Sequence, residues 1–172
     1  MTKSSLAPGP LGKRAAKLRG ELKNLVRFEV GTTCYAFDVA SVEEVLHPAP
    51  ITPLPKMGAA VVGVADHRGR VIPVVALRPR FGLPDKDTSR LTKWVLVRAA
   101  TGSVAFVVDR VLDVASTDGS LAPAPSVGGE EQDRALRGVV SLEGRLVFVL
   151  DEDKLASVLA GLEVAIRESQ HP

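Results

Sequence analysis

The chain has 172 residues, 45% hydrophobic and 24% charged, with a formal net charge of +2, enough apolar material for a buried core in one domain or two small ones. Its single cysteine, Cys34, excludes an internal disulfide framework and fits a reducing compartment. No apolar run approaches the roughly 18–20 residues that span a bilayer, and the first residues lack the apolar core of a secretory signal, so a soluble, cytoplasmic protein without direct membrane insertion is expected.

Charge is unevenly spread. Residues 1–27 carry Lys3, Lys13, Arg14, Lys17, Arg19, Lys23 and Arg27 against the single acid Glu21. Residues 1–23 therefore read as a basic extension, flexible or partly helical, with Leu11, Ala15, Leu18 and Leu22 at helical spacing. Such an arm is either a solvated tail or a binder of nucleic acid or another anionic partner. LVRFEV (25–30) and CYAFDV (34–39) then alternate as strands around a GTT hairpin turn. SVEEVL (41–46) shifts toward helical spacing, and PAPITPLP (48–55) forces an extended connection. VVGVADHRGRVIPVVAL (61–77) predicts two strands joined at an Arg-Gly tip, whose glycine supplies the positive φ of a tight connection. RFGLPDKDTSRLT (80–92) is a polar linker, after which strands resume at 94–98 and 103–108.

The second half repeats the first. AFDVASVEEV (36–45) matches AFVVDRVLDV (105–114), TPLP (52–55) answers APAP (122–125), and GVADHRGRVIPVV (63–75) matches GVVSLEGRLVFVL (138–150). Three matches in the same order indicate a tandem duplication. Each copy holds about five short strands, which predicts an all-β fold of two small barrels, over about 24–82 and about 92–150. The final segment, 152–168, predicts an α-helix capped by Asp151 or Asp153. Its stripe of Leu155, Val158, Leu159, Leu162 and Ile166 needs a partner and should lie across the barrels.

Signals of catalysis are weak. His47, His67, His171 and Cys34 lack metal-ligand spacing, and no phosphate-binding loop, nucleophile elbow or dinucleotide fingerprint is found. Asp66 and His67 are adjacent, but neighbours in a turn usually point apart. Asp151 and Asp153 at a helix start read as caps rather than a cation site. Aromatic residues are only 4%, and Phe28, Phe37 and Phe106 sit at core positions instead of forming stacking platforms for nucleic acid. Neither cofactor nor metal is expected, and protein–protein recognition is left by elimination.

FEVGTTCYAFDVASVEEVL, ITPLP, VVGVADHRGRVIPVVALRPRFGL, VAFVVDRVLDV and RGVVSLEGRLVFVLDEDKL, in this order over roughly residues 25–160, resemble the CheW family, the coupling proteins of bacterial chemosensory systems. The resemblance implies a CheW-like domain over 24–160, built as two intertwined five-stranded SH3-like barrels with a C-terminal helix, and no enzymatic activity. It implies as partners the cytoplasmic tips of methyl-accepting chemoreceptors, the regulatory domain of a CheA-type histidine kinase and other CheW-like proteins, with recruitment to receptor arrays. The family's hairpin turn usually reads Asn-Leu-Arg-Gly, which Arg68 and Gly69 match. Its Val-x-Glu-Val segment at the receptor-facing groove corresponds to Val42 and Glu44, with Val39 one helical turn earlier. Asp66 and His67 depart from that turn. Loss of the apolar residue at the tip puts kinase engagement in doubt, so a divergent member that binds receptors and engages the kinase weakly is a variant of this reading. A nucleic-acid-associated adaptor using the basic arm is the alternative from another class.

Overall fold

The structure, a computed structural model, describes residues 22–124 and 135–162. Among the described residues ten strands run in chain order: β1 (Asn24–Val30), β2 (Thr33–Asp38), β3 (Val42–Leu46), β4 (Val61–His67), β5 (Arg70–Ala76), β6 (Lys93–Ala99), β7 (Gly102–Val108), β8 (Arg110–Ser116), β9 (Leu136–Leu142) and β10 (Arg145–Leu150). A single helical turn, α1 (Leu77–Arg80), follows β5, and a short helix, α2 (Glu152–Ala156), follows β10.

The strands form two five-stranded sheets, ordered β8-β1-β2-β10-β9 and β3-β6-β7-β5-β4. Exchanging β1–β5 with β6–β10 converts one order into the other. The duplication is therefore visible as a pseudo-twofold, but the barrels are not the successive segments 24–82 and 92–150. Each takes two adjacent strands from one copy and three from the other. The exchange is made by parallel pairs, Val149 opposite Ala36 in the first sheet and Val74 opposite Ala105 in the second. These are equivalent positions in the two copies. Connections are matched as well: Thr52 bridges Val64 and Ala122 bridges Val139, each through two backbone hydrogen bonds of 2.8–2.9 Å.

Three cores result. Leu22, Leu25, Cys34, Ala36, Val140, Val147 and Val149 fill the first barrel, while Ala65, Ile72, Val74, Trp94, Leu96 and Ala105 fill the second. Between the barrels, Phe28, Tyr35 and Phe37 meet Val95, Val97 and Phe106. Phe37 and Phe106, equivalent residues of the two copies, pack with ring centroids 5.4 Å apart. Central strands such as β2 thus bury both faces, Tyr35 and Phe37 toward the shared core and Cys34 and Ala36 into the barrel.

Two predicted helices are corrected. Residues 41–46 are not helical: a 3-10 turn at Val39–Ser41, capped by the Asp38 carboxylate, leads directly into β3. Pairing of Val42, Val45 and Leu46 with β6 outweighs the local spacing. Over the described part of the segment 152–168 the expected continuous helix is broken: α2 is followed by a 3-10 turn at Ser157–Leu159, and the chain extends at Ala160 (φ −55°, ψ 124°) before Gly161 at φ +89°. Asp151 provides the cap, accepting from the backbone N–H groups of Asp153 and Lys154. Leu155 and Leu159 enter the shared core, with Val158 and Leu162 at its edge, as the apolar stripe requires. Ile166 lies outside the described residues, as do residues 1–21 of the basic arm.

Candidate functional site

The β4–β5 tip is a two-residue connection in which Arg68 (φ +52°) and Gly69 (φ +78°) both adopt positive φ. That is the geometry whose twist matches the flanking strands. Glycine takes it freely, whereas an arginine does so at a cost. Asp66 steadies the turn, its Oδ1 accepting the Gly69 N–H at 3.0 Å. The side chain of Arg68 is thereby carried out over the barrel rim, 73% exposed.

Opposite the tip stands β3, an edge strand of the same sheet. Its register against β6 slips between Val42, opposite Val97, and Glu44, opposite Leu96. The slip places two consecutive glutamates where both find cations, the kind of re-aiming that a bulge performs. Glu44 accepts from Arg68 Nη2 at 3.0 Å through Oε1, and His67 Nε2 lies 3.3 Å from its Oε2. Glu43 pairs with Arg98 at 2.8 Å and more loosely with Arg70 at 3.9 Å, and the Ser103 hydroxyl donates to it at 3.0 Å. These contacts draw the sheet's two edge strands, β3 and β4, together across the barrel mouth.

The sequence-predicted residues divide into two groups. Arg68, Gly69, His67 and Glu44 form one contact cluster. Val42 is half-buried against the shared core, and Val39, 37% exposed, sits on the 3-10 turn between the barrels. That turn is pinned from the far side, where the Ser41 hydroxyl donates to Glu152 Oε1 of α2 at 2.7 Å. Val45 and Val71, both exposed, add apolar surface beside the cluster's own strands. The roles of Glu43, Arg70 and Arg98 escaped the sequence reading, because they follow from the β3 register.

The counterpart in the first barrel shows what the duplication has altered. Glu143 and Gly144 repeat the positive-φ pair, at +52° and +75°, and Asp113 occupies the place of Glu44. Two acids there would repel. Arg27 lies between them, its Nε and Nη2 donating to both oxygens of Asp113 at 2.6 Å, with Glu143 at 3.8 Å. These hydrogen bonds raise the pKa of Arg27 and hold Asp113 below the usual carboxylate range. An open depression of about 480 Å³ adjoins this group, lined by Cys34, Arg110 and Arg145 among others. Burial pushes the Cys34 thiol up, so it is not poised as a thiolate nucleophile. Among the described residues no group of three or more His, Cys, Asp and Glu side chains is placed to hold a metal ion, and no helix is long and apolar enough to cross a membrane. His171 lies outside them.

Comparison with known proteins gives the family and the fold. A family model described as "CheW-like domain" matches residues 24–160. The chain is similar to the chemotaxis protein CheW of Thermotoga maritima, 33% identical over 144 residues that cover 84% of this chain and 91% of that protein. It is 31% identical over 132 residues to the protein FrzA of Myxococcus xanthus, covering 76% and 81%. Among solved structures it resembles the scaffolding protein TtCheW from Thermoanaerobacter tengcongensis, with a TM-score of 0.72 at 25% identity over 78% of this chain and 92% of that one.

Proposed function

The chain belongs to the CheW-like family of chemotaxis coupling proteins, non-catalytic scaffolds, and from that premise we propose that it links the cytoplasmic tips of chemoreceptors to a CheA-type histidine kinase within arrays. The observation that carries the reading is the Arg68–Glu44 cluster at the mouth of the β3–β7 barrel. The positive-φ pair is what a two-residue hairpin demands, and Glu143–Gly144 repeats it. What distinguishes this tip is that it presents a guanidinium to solvent while a glutamate on the facing edge holds its orientation.

In this proposal Arg68 donates charge-assisted hydrogen bonds to a partner. Glu44 accepts from a basic group of the receptor helix bundle. Val39 and Val42 offer apolar surface in the groove between the barrels, and Gly69 and His67 shape the tip. His67 puts a polar ring where an apolar anchor would gain most from burial, which favours a member that binds receptors and engages the kinase weakly. No observation favours a nucleic-acid role for the basic arm.

Co-sedimentation with membranes bearing receptors tests the proposal. The chain should sediment with receptor-containing membranes and not with receptor-free ones, and the kinase should sediment more when the chain is present. Sedimentation of the chain with no gain in kinase sedimentation would identify the weak-kinase variant. A chain that stays in the supernatant would refute the coupling role.

A further inference from the structure

Each oxygen of the Glu44 carboxylate has its own partner: Arg68 on Oε1 at 3.0 Å and His67 on Oε2 at 3.3 Å. Arginine is cationic at every physiological pH, whereas histidine as a residue type changes charge between about pH 5 and 8. The His67 ring is only 16% exposed, so a proton gained there is held close to Glu44 and away from bulk water. The charged groups around it are few. From β3 come Glu43 and Glu44, from the turn Arg68, and from β5 Arg70, directly opposite in register. Asp66 lies on its own strand with Oδ1 engaged by the Gly69 N–H, and Arg98 of β6 reaches the cluster through Glu43. With His67 neutral, the three arginines balance the three carboxylates. Protonation tips the cluster to net positive.

We propose that His67 makes Glu44 a pH-gated acceptor. A neutral ring brings no charge to Oε2, leaving the carboxylate's charge shared with Arg68 alone and available to a lysine or arginine on a partner helix. A protonated ring forms a second ion pair with Glu44 and sets its own positive charge against the incoming cation. Docking through Glu44 is therefore strongest above the histidine range and weakens as pH falls through it. The inference rests on Glu44 serving the receptor-facing site proposed above.

Two measurements separate the inference from that reading. In the free full-length chain, the Glu44 carboxyl carbon resonance should move as pH is lowered from about 8 to about 5.5, and this movement should be lost in His67→Gln, which keeps a donor without the charge. A Glu44 resonance that ignores His67 overturns the inference, whatever the partner does. In titrations with a receptor cytoplasmic fragment over the same range, Kd for the parent should rise about two- to fivefold more than Kd for His67→Gln, the size of a partly exposed ion pair. Equal losses in both overturn the gate. A parent that binds at no pH, with the resonance still following His67, overturns the docking reading and the gate's use with it.

Discussion

Asp109 shows how much one side chain can hold at the junction of the barrels. It lies between β7 and β8, accepts the Gly31 N–H of the β1–β2 turn at 2.8 Å, and takes both Nε and Nη2 of Arg78 on α1 at 2.9 and 2.7 Å. Burial pushes its pKa up, but the Arg78 and Gly31 hydrogen bonds outweigh this and hold it below the usual carboxylate value. A carboxylate with a depressed folded pKa adds stability that is complete above its unfolded value and lost as pH falls through the folded one. Urea unfolding should therefore show stability falling below about pH 4. Asp109→Asn should lose about 1.5–3 kcal/mol at neutral pH and flatten that acid slope; an unchanged slope would remove Asp109 from the account. At this scale the sequence was legible where local geometry dictates the residue, as at Gly69. Asp109, Glu43 and Arg27 were not, since their partners lie 27 or more positions away and are brought to them only by the tertiary fold.

Among the elements, the hairpins and the tandem copies were readable from alternation and matching motifs, because the shared core demands apolar residues at equivalent positions. Segment 41–46 misled because Val42, Val45 and Leu46 satisfy a helical spacing as well as an edge strand, and only pairing with β6 decides between them. The C-terminal helix was legible in its start and its apolar stripe, while its break at Ala160 and Gly161 carries only a single glycine as signal. The repeated connection gives a sharper test. A Cβ on Gly63 (φ +150°) would lie 2.2 Å from the Thr52 carbonyl oxygen, and one on Gly138 would lie 2.7 Å from that of Ala122. Gly63→Ala should destabilise by at least about 1–3 kcal/mol, and Gly138→Ala should do so as well. Gly58→Ala, with nothing within 4 Å of the added carbon, should be neutral or slightly stabilising. Equal melting temperatures for Gly63→Ala and Gly58→Ala would contradict the backbone crossing read at Thr52.

For the whole molecule, duplication could be read from the sequence but strand exchange could not. Two copies give the same internal similarity whether each closes on itself or lends strands to the other. The parallel pairs β2–β10 and β5–β7 decide it, and they make the barrels one cooperative unit around Phe37 and Phe106. A chain divided between residues 83 and 91 of the polar linker should give two fragments that are unfolded alone and regain β-structure when mixed. An independently folded fragment would contradict the intertwined fold. The site belongs to the same scale, because the tip, the β3 edge and the inter-barrel turn are brought together only by the closed molecule. The most direct test of the account is a titration of Arg68→Ala against a chemoreceptor cytoplasmic fragment, paired with a thermal melt. An exposed turn arginine buries little, so the melting temperature should match the parent, while affinity should fall by about 1.5–3 kcal/mol, roughly 10- to 150-fold. An Arg68→Ala chain that melts like the parent and binds with the same Kd would contradict the assignment of the Arg-Gly tip as the docking element.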